Sequence, residues 1–197
     1  MKTNKQKIQW ITGVGVLSAL VIVLQFVSMA LRFSTFSITL TLIPIVVGTA
    51  LYGVGAGGWL GFVFGLAVLL TGDASPFLAI SIPGTVITVL AKGTLAGVVP
   101  GLVYKALEKK NATLATVSAA VVSPIVNTGV FLLGCLVFFM DTIKTWAIAD
   151  YGDNVVGYMF LGLAGINFVI ELGINLVFSP TIIYIVNIGK KYFTKKK

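Results

Sequence analysis

The chain has 197 residues, 57% of them apolar and only 10% charged, with a mean hydropathy of +1.03. A soluble core of this size cannot hide so much apolar surface, so the composition excludes an ordinary soluble domain and points to an integral membrane protein. The formal net charge of +8 comes with no histidine at all, which removes Ser-His hydrolysis, histidine-ligated metals and histidine acid-base catalysis together.

In chain order, the opening "MKTNKQKIQW" resembles the basic flank of a signal peptide. The apolar run after it is longer than a signal core and lacks a convincing small-residue cleavage site, so it reads as a retained first span, Ile8 to Leu31. "LRFSTFSIT" then alternates apolar and polar residues from Phe33 to Ile38, which suits an extended outer segment. Two short apolar segments follow, Thr39 to Tyr52 and Ala56 to Gly72; only the glycine-rich "YGVGAGG" separates them, so they form a helical hairpin. "DASPFLAISIPG", with Pro76 and Pro83, leads to a fourth segment, Gly84 to Leu107. The fifth, Leu114 to Met140, contains Pro124, which removes a backbone donor and favours a kink. After "DTIKTWAIADYGDN", read as a loop whose Trp146 and Tyr151 anchor at the interface, the sixth runs from Val156 to Ile188. A span needs about 20 apolar residues, fewer when neighbours cover it, so all six segments count. The expected fold is all-α, a polytopic bundle of six transmembrane helices forming one membrane domain over 1–197.

Basic residues fix the orientation, because they concentrate in cytoplasmic loops. The tail 1–7 carries Lys2, Lys5 and Lys7, the fourth-to-fifth loop carries Lys105, Lys109 and Lys110, and the tail 189–197 carries five more lysines. All fall on one side of the six-span topology, while Asp73, Asp141, Asp150 and Asp153 fall on the other; only Arg32, Lys92 and Lys144 depart from the pattern. Both termini of the bundle, 8–188, are therefore expected in the cytoplasm, with the chain a multi-pass protein of the cell membrane. The positive charge is topological, its basic tails suit anionic lipid headgroups, and nucleic acid is not an expected partner.

Between helices in lipid, small side chains permit close backbone approach. Gly53, Gly57, Gly61 and Gly65 recur every four residues, as do Gly93, Gly97 and Gly101, and both sets suit packing inside the bundle. Gly13, Gly15 and Ala19 give the first helix a stripe of its own. The lone Cys135 lies in an apolar segment and reads as a small buried hydrophobe, without a disulfide or metal role.

Ionisable groups within a span are functional candidates by default. Two occur: Lys92, about 12 Å in from Gly84, and Glu171, about 20 Å in from Val156. Thr85, Thr88 and Lys92 share one helix face, Asn167, Glu171 and Asn175 another, and Ser123 and Asn127 a third. Two readings stay open. Lys92 and Glu171 neutralise each other as a buried pair, or Lys92 faces an outward cavity and binds an anionic group of a small solute, with Thr88, Asn127 and Asn167 around it. Glu171 has either a structural or a direct ligand role. No Walker-type phosphate loop and no intramembrane aspartate pair is present, so the chain neither hydrolyses ATP nor resembles an intramembrane protease; no cofactor is implied.

"TLIPIVVG", the hairpin after it, the small pair Gly15 and Ala19 and "SPIVNTGVFLLG" together resemble the substrate-binding subunits, or S components, of energy-coupling factor vitamin transporters. The resemblance covers nearly the whole chain. It implies a vitamin-binding protein that is not an enzyme and that works with a membrane coupling subunit and two ATPases. It also implies that Gly15 and Ala19, in place of two family alanines, dock the coupling subunit. Through "AKGTLAG" and "VNTG" the chain is most similar to pantothenate-specific members, which implies that Lys92 meets the vitamin carboxylate and Asn127 its amide or hydroxyls. Trp59 would fall near the cytoplasmic end, away from this site. The alternatives are an S component for another vitamin, such as pyridoxine or riboflavin, a proton-coupled secondary transporter using Glu171, and a membrane enzyme acting on lipid headgroups.

Overall fold

A computed structural model describes residues 4–30 and 38–194, with side chains to residue 192. Arg32, Lys2, Lys195 to Lys197 and nearly all of the extended stretch expected over 33–38 lie outside the described residues. Among those described, every regular element is helical. They are α1 (Asn4–Ala30), α2 (Leu42–Tyr52), α3 (Val54–Thr71), α4 (Ser75–Leu78), α5 (Ile82–Leu107), α6 (Ala112–Phe138), α7 (Met140–Tyr151), α8 (Val155–Gly157), a π-helical stretch (Tyr158–Gly165) and α9 (Ile166–Thr194).

Five of these helical stretches are long and apolar enough to cross a membrane: α1, α3, α5, α6 and the continuous run Val155–Tyr192. The remaining expected span is α2, which has only 11 residues. Its brevity goes with burial, since Leu42, Ile45 and Val46 are completely enclosed by other helices. The outer faces are apolar, with Ile11, Val16 and Val23 of α1 and Val137 of α6 exposed. In hydrocarbon that exposure carries no penalty, and it matches the composition.

Glycine explains the centre of the bundle. The α2–α3 joint is a single residue, Gly53, with φ 93° and ψ 176°, a conformation that only glycine adopts readily. Gly53 is thus the hinge and stands apart from the packing row it shares by spacing. The rest of that row meets α5, in the most extensive helix contact among the described residues. A Cβ at Gly57 would lie 2.6 Å from the Gly97 carbonyl oxygen, one at Gly61 would strike the Gly93 carbonyl, and one at Gly65 would lie 3.0 Å from that of Val89. Ser123 of α6 adds a hydrogen bond to the Ala96 carbonyl of α5 at 2.8 Å.

At one end of the bundle the Trp10 indole donates to the Tyr52 carbonyl at 3.2 Å, Gly189 packs on Leu51, and Lys190 meets Glu108 at 2.7 Å. Both ends of the described chain therefore gather there. The opposite end differs from expectation, for the stretch read as a loop after the fifth segment contains the 12-residue helix α7. Its Ile143 and Ala147, four apart, are buried while Lys144, Thr145 and Ile148 stand exposed. Asp141 in its first turn suits a helix N-terminus.

Candidate functional site

Beside α4, which supplies Phe77 to its wall, the helices part around a recess that is partly open to solvent. Each wall follows from a local feature of the sequence. Thr85, Thr88 and Lys92 project from one face of α5, which starts where Ser81 caps the Gly84 N–H at 3.3 Å and Pro83 occupies the first turn. Asn127, Thr128 and Phe131 line it from α6, and Asn167, Phe168 and Glu171 from α9. The π-helical stretch before α9 supplies Leu163 and Ala164. Its wider winding fits more residues into a given rise, so counting α-helical turns from Val156 overstates the depth of Glu171.

All five residues proposed from sequence, Lys92, Asn127, Thr88, Asn167 and Glu171, line this one recess. Thr85 joins them, whereas Ser123 and Asn175 do not; Asn175 instead donates to the Glu171 carbonyl at 2.9 Å. Lys92 and Glu171 form no ion pair with each other among the described residues. The Lys92 ammonium sits between two rings, 5.7 Å from the centroid of Phe64 and 5.5 Å from that of Phe131. Aromatic faces attract a cation without neutralising it, and more strongly when water is excluded. Glu171 is buried and accepts the backbone N–H of Thr39 at 3.0 Å through Oε1, while Oε2 lies 3.5 Å from Asn127 Nδ2.

Several wall residues were missed in the sequence. Phe131 was within reach, because it follows Asn127 by four positions and shares its face. Phe64, Thr39 and Phe168 gave no signal, since an aromatic in a span ordinarily faces lipid or core. Asp73, placed on the outer side by its position between the third and fourth segments, also lines the recess. Phe77 of α4 closes the aromatic end, with ring centroids 5.5 Å from Phe131, 4.9 Å from Phe139 and 5.7 Å from Trp146. Trp146 thus packs on Phe77 and braces α7, while Tyr151 stacks edgewise on Tyr158 at 5.6 Å. Trp59 is exposed and donates to Ser18 at 3.2 Å, away from the recess.

The small residues of α1 divide between two faces. Gly13 packs against the Tyr52 ring, whereas Gly15 has open space around it and Ala19 is exposed beside it. Among the described residues no three metal-ligating side chains come together.

Apolar helices long enough to span a membrane, around a partly enclosed recess with a few convergent polar groups, define the class of a multi-pass membrane protein with room for a small solute. The chain matches the family described as "ECF transporter, substrate-specific component" over residues 9–186, and it belongs to that family. It is therefore an S component, a vitamin-binding transporter subunit of a family whose members work with coupling and ATPase subunits. No curated protein and no solved structure matches the chain.

Proposed function

We propose that this S component captures a small anionic vitamin of the pantothenate type at the outer face of the cell membrane and delivers it inward with a coupling subunit and two ATPases. The observation that carries the reading is the Lys92 ammonium. It lines the recess between Phe64 and Phe131 and has no ion pair among the described residues, which leaves it for an anionic ligand group. A carboxylate brought to it would form a charge-assisted contact. Thr88, Asn127 and Asn167 on the facing walls provide hydrogen bonds to the rest of the vitamin, and Glu171 lines the recess beside them.

On this reading the chain is one membrane domain of six crossings, with α2 a short crossing buried among the others. Both termini lie in the cytoplasm, in line with the lysines of the end where Trp10, Tyr52, Glu108 and Lys190 meet. The face of α1 around Gly15 and Ala19 docks the coupling subunit, because a side chain-free notch on an otherwise apolar face lets a partner helix approach closely.

The deciding measurement is a titration of the purified protein with pantothenate, pyridoxine, riboflavin and buffer, followed by uptake into vesicles. Tight binding of pantothenate, with no net uptake until coupling and ATPase subunits are added, is the expected result. Uptake by this chain alone, driven by a proton gradient, would replace the proposal with a secondary transporter.

A further inference from the structure

Among the described residues the walls of the recess carry one ammonium, that of Lys92, together with the carboxylates of Asp73 and Glu171 and the amide of Asn127. Asn127 is 4% exposed, and its Oδ1 has no hydrogen-bond partner among the described residues. Its other end, Nδ2, points to Glu171 Oε2, and Glu171 is itself held through Oε1 by the backbone N–H of Thr39.

Both Glu171 oxygens are placed as acceptors, whereas a primary amide accepts at one end and donates at the other. Turning the Asn127 amide over would set its oxygen against Oε2, two acceptors face to face where the dielectric is low. The bond to Thr39 keeps Glu171 in place to enforce this choice. One Asn127 N–H is thus directed to Glu171, and Oδ1 is left over. A buried carbonyl oxygen without a donor is costly, and a ligand that brings an O–H or N–H group removes the cost.

We infer that Glu171 is a positioning residue that makes Asn127 a reader of hydrogen-bond donors, so that the substrate class is a solute carrying both an anionic group for Lys92 and a hydroxyl or N–H group for Asn127 Oδ1. The inference rests on the recess being the cargo site. It adds a rule of rejection: an apolar carboxylate without donors binds poorly, whatever its size. A polar site discriminates against a ligand that lacks the expected partner far more than an apolar pocket discriminates by shape.

The test compares three probes on the purified full chain: pantothenate, its analogue with both hydroxyls replaced by hydrogen, and its ester analogue in which oxygen replaces the amide nitrogen. Neither change adds bulk. The wild type is expected to bind at least one analogue about tenfold or more weakly than pantothenate. Glu171→Gln, which can donate as well as accept and so releases the Asn127 amide, is expected to shrink that preference to under about threefold, at an unchanged ligand-free melting temperature. Equal wild-type affinity for all three probes overturns the inference and leaves the pantothenate reading standing. So does a preference that persists in folded Glu171→Gln. If that variant does not fold, the wild-type comparison decides alone. Binding of pyridoxine or riboflavin in place of pantothenate overturns the vitamin assignment only, and the same comparison with the deoxy form of that vitamin then decides the inference. Binding of none of these vitamins overturns both.

Discussion

Gly61 of α3 and Gly93 of α5 meet backbone to backbone, each standing where a Cβ on the other would have to go. Neither carbonyl can swing aside as a flexible side chain would, because each is built into its own helix. Gly61→Ala and Gly93→Ala are therefore expected to cost at least the upper end of the about 1–3 kcal/mol usual for overpacking, and the leucine variants to prevent folding. Thermal unfolding in detergent measures this. Wild-type melting of either alanine variant would mean that the two helices do not approach this closely.

Gly15 supplies the contrasting case, since a Cβ built there meets nothing within 4 Å. Gly15→Leu and Ala19→Leu are expected to leave the melting temperature and the ligand affinity of the isolated chain unchanged, yet to abolish co-purification with the coupling subunit and vitamin uptake. Intact assembly and uptake in both variants would move the docking surface off this face of α1.

What the sequence revealed and what it concealed have separate physical causes. Apolar composition and periodic glycines are summed over many residues, so the helical character, the length of the apolar helices and the packing role of the glycines could be read directly, though not which two helices they join. Lys92, Asn127 and Glu171 stood out because polar groups in apolar helices are rare and helical spacing gives their faces. α7 was concealed by its charges, Asp141, Lys144 and Asp150, which look like loop composition when its buried pair, Ile143 and Ala147, is not weighed. The aromatic wall was concealed for another reason. Phe64, Phe77 and Phe131 are ordinary apolar residues in their own segments, and only the assembled bundle turns them toward one recess.

Phe77 lines that recess at its aromatic end. The residue is 3% exposed, and among the described residues its ring meets those of Phe131 and Phe139 beside the recess and of Trp146 in α7. Phe77→Ala removes the centre of this cluster, and losses of about 3–5 kcal/mol are usual for such truncations of a packed aromatic. With the end loosened, bound vitamin should dissociate at least about tenfold faster, while its association is little changed. Stopped-flow release of labelled vitamin checks this. Identical dissociation from a folded variant would show that the cluster packs the bundle without retaining the ligand.

Lys92 brings stability and function into opposition. In the ligand-free protein its ammonium has two aromatic rings and no ion pair among the described residues, so its burial is only partly compensated. Lys92→Met keeps a long unbranched chain between Phe64 and Phe131 and replaces the charge with a thioether that packs well on rings. The ligand-free variant should therefore melt at or above the wild-type temperature. Its affinity for pantothenate should fall at least about tenfold, about 1.4 kcal/mol, because the carboxylate then loses the one ammonium that lines the recess among the described residues. Lys92→Arg retains the charge and should lose less affinity than Lys92→Met, although its planar fork cannot fill the same space. Melting curves and titrations of the two variants together separate the possibilities. A Met variant that binds pantothenate as the wild type does would remove Lys92 from the site. A Met variant that melts well below the wild type would mean that the ammonium is stabilised inside the protein, and the lysine would then be structural in the absence of cargo.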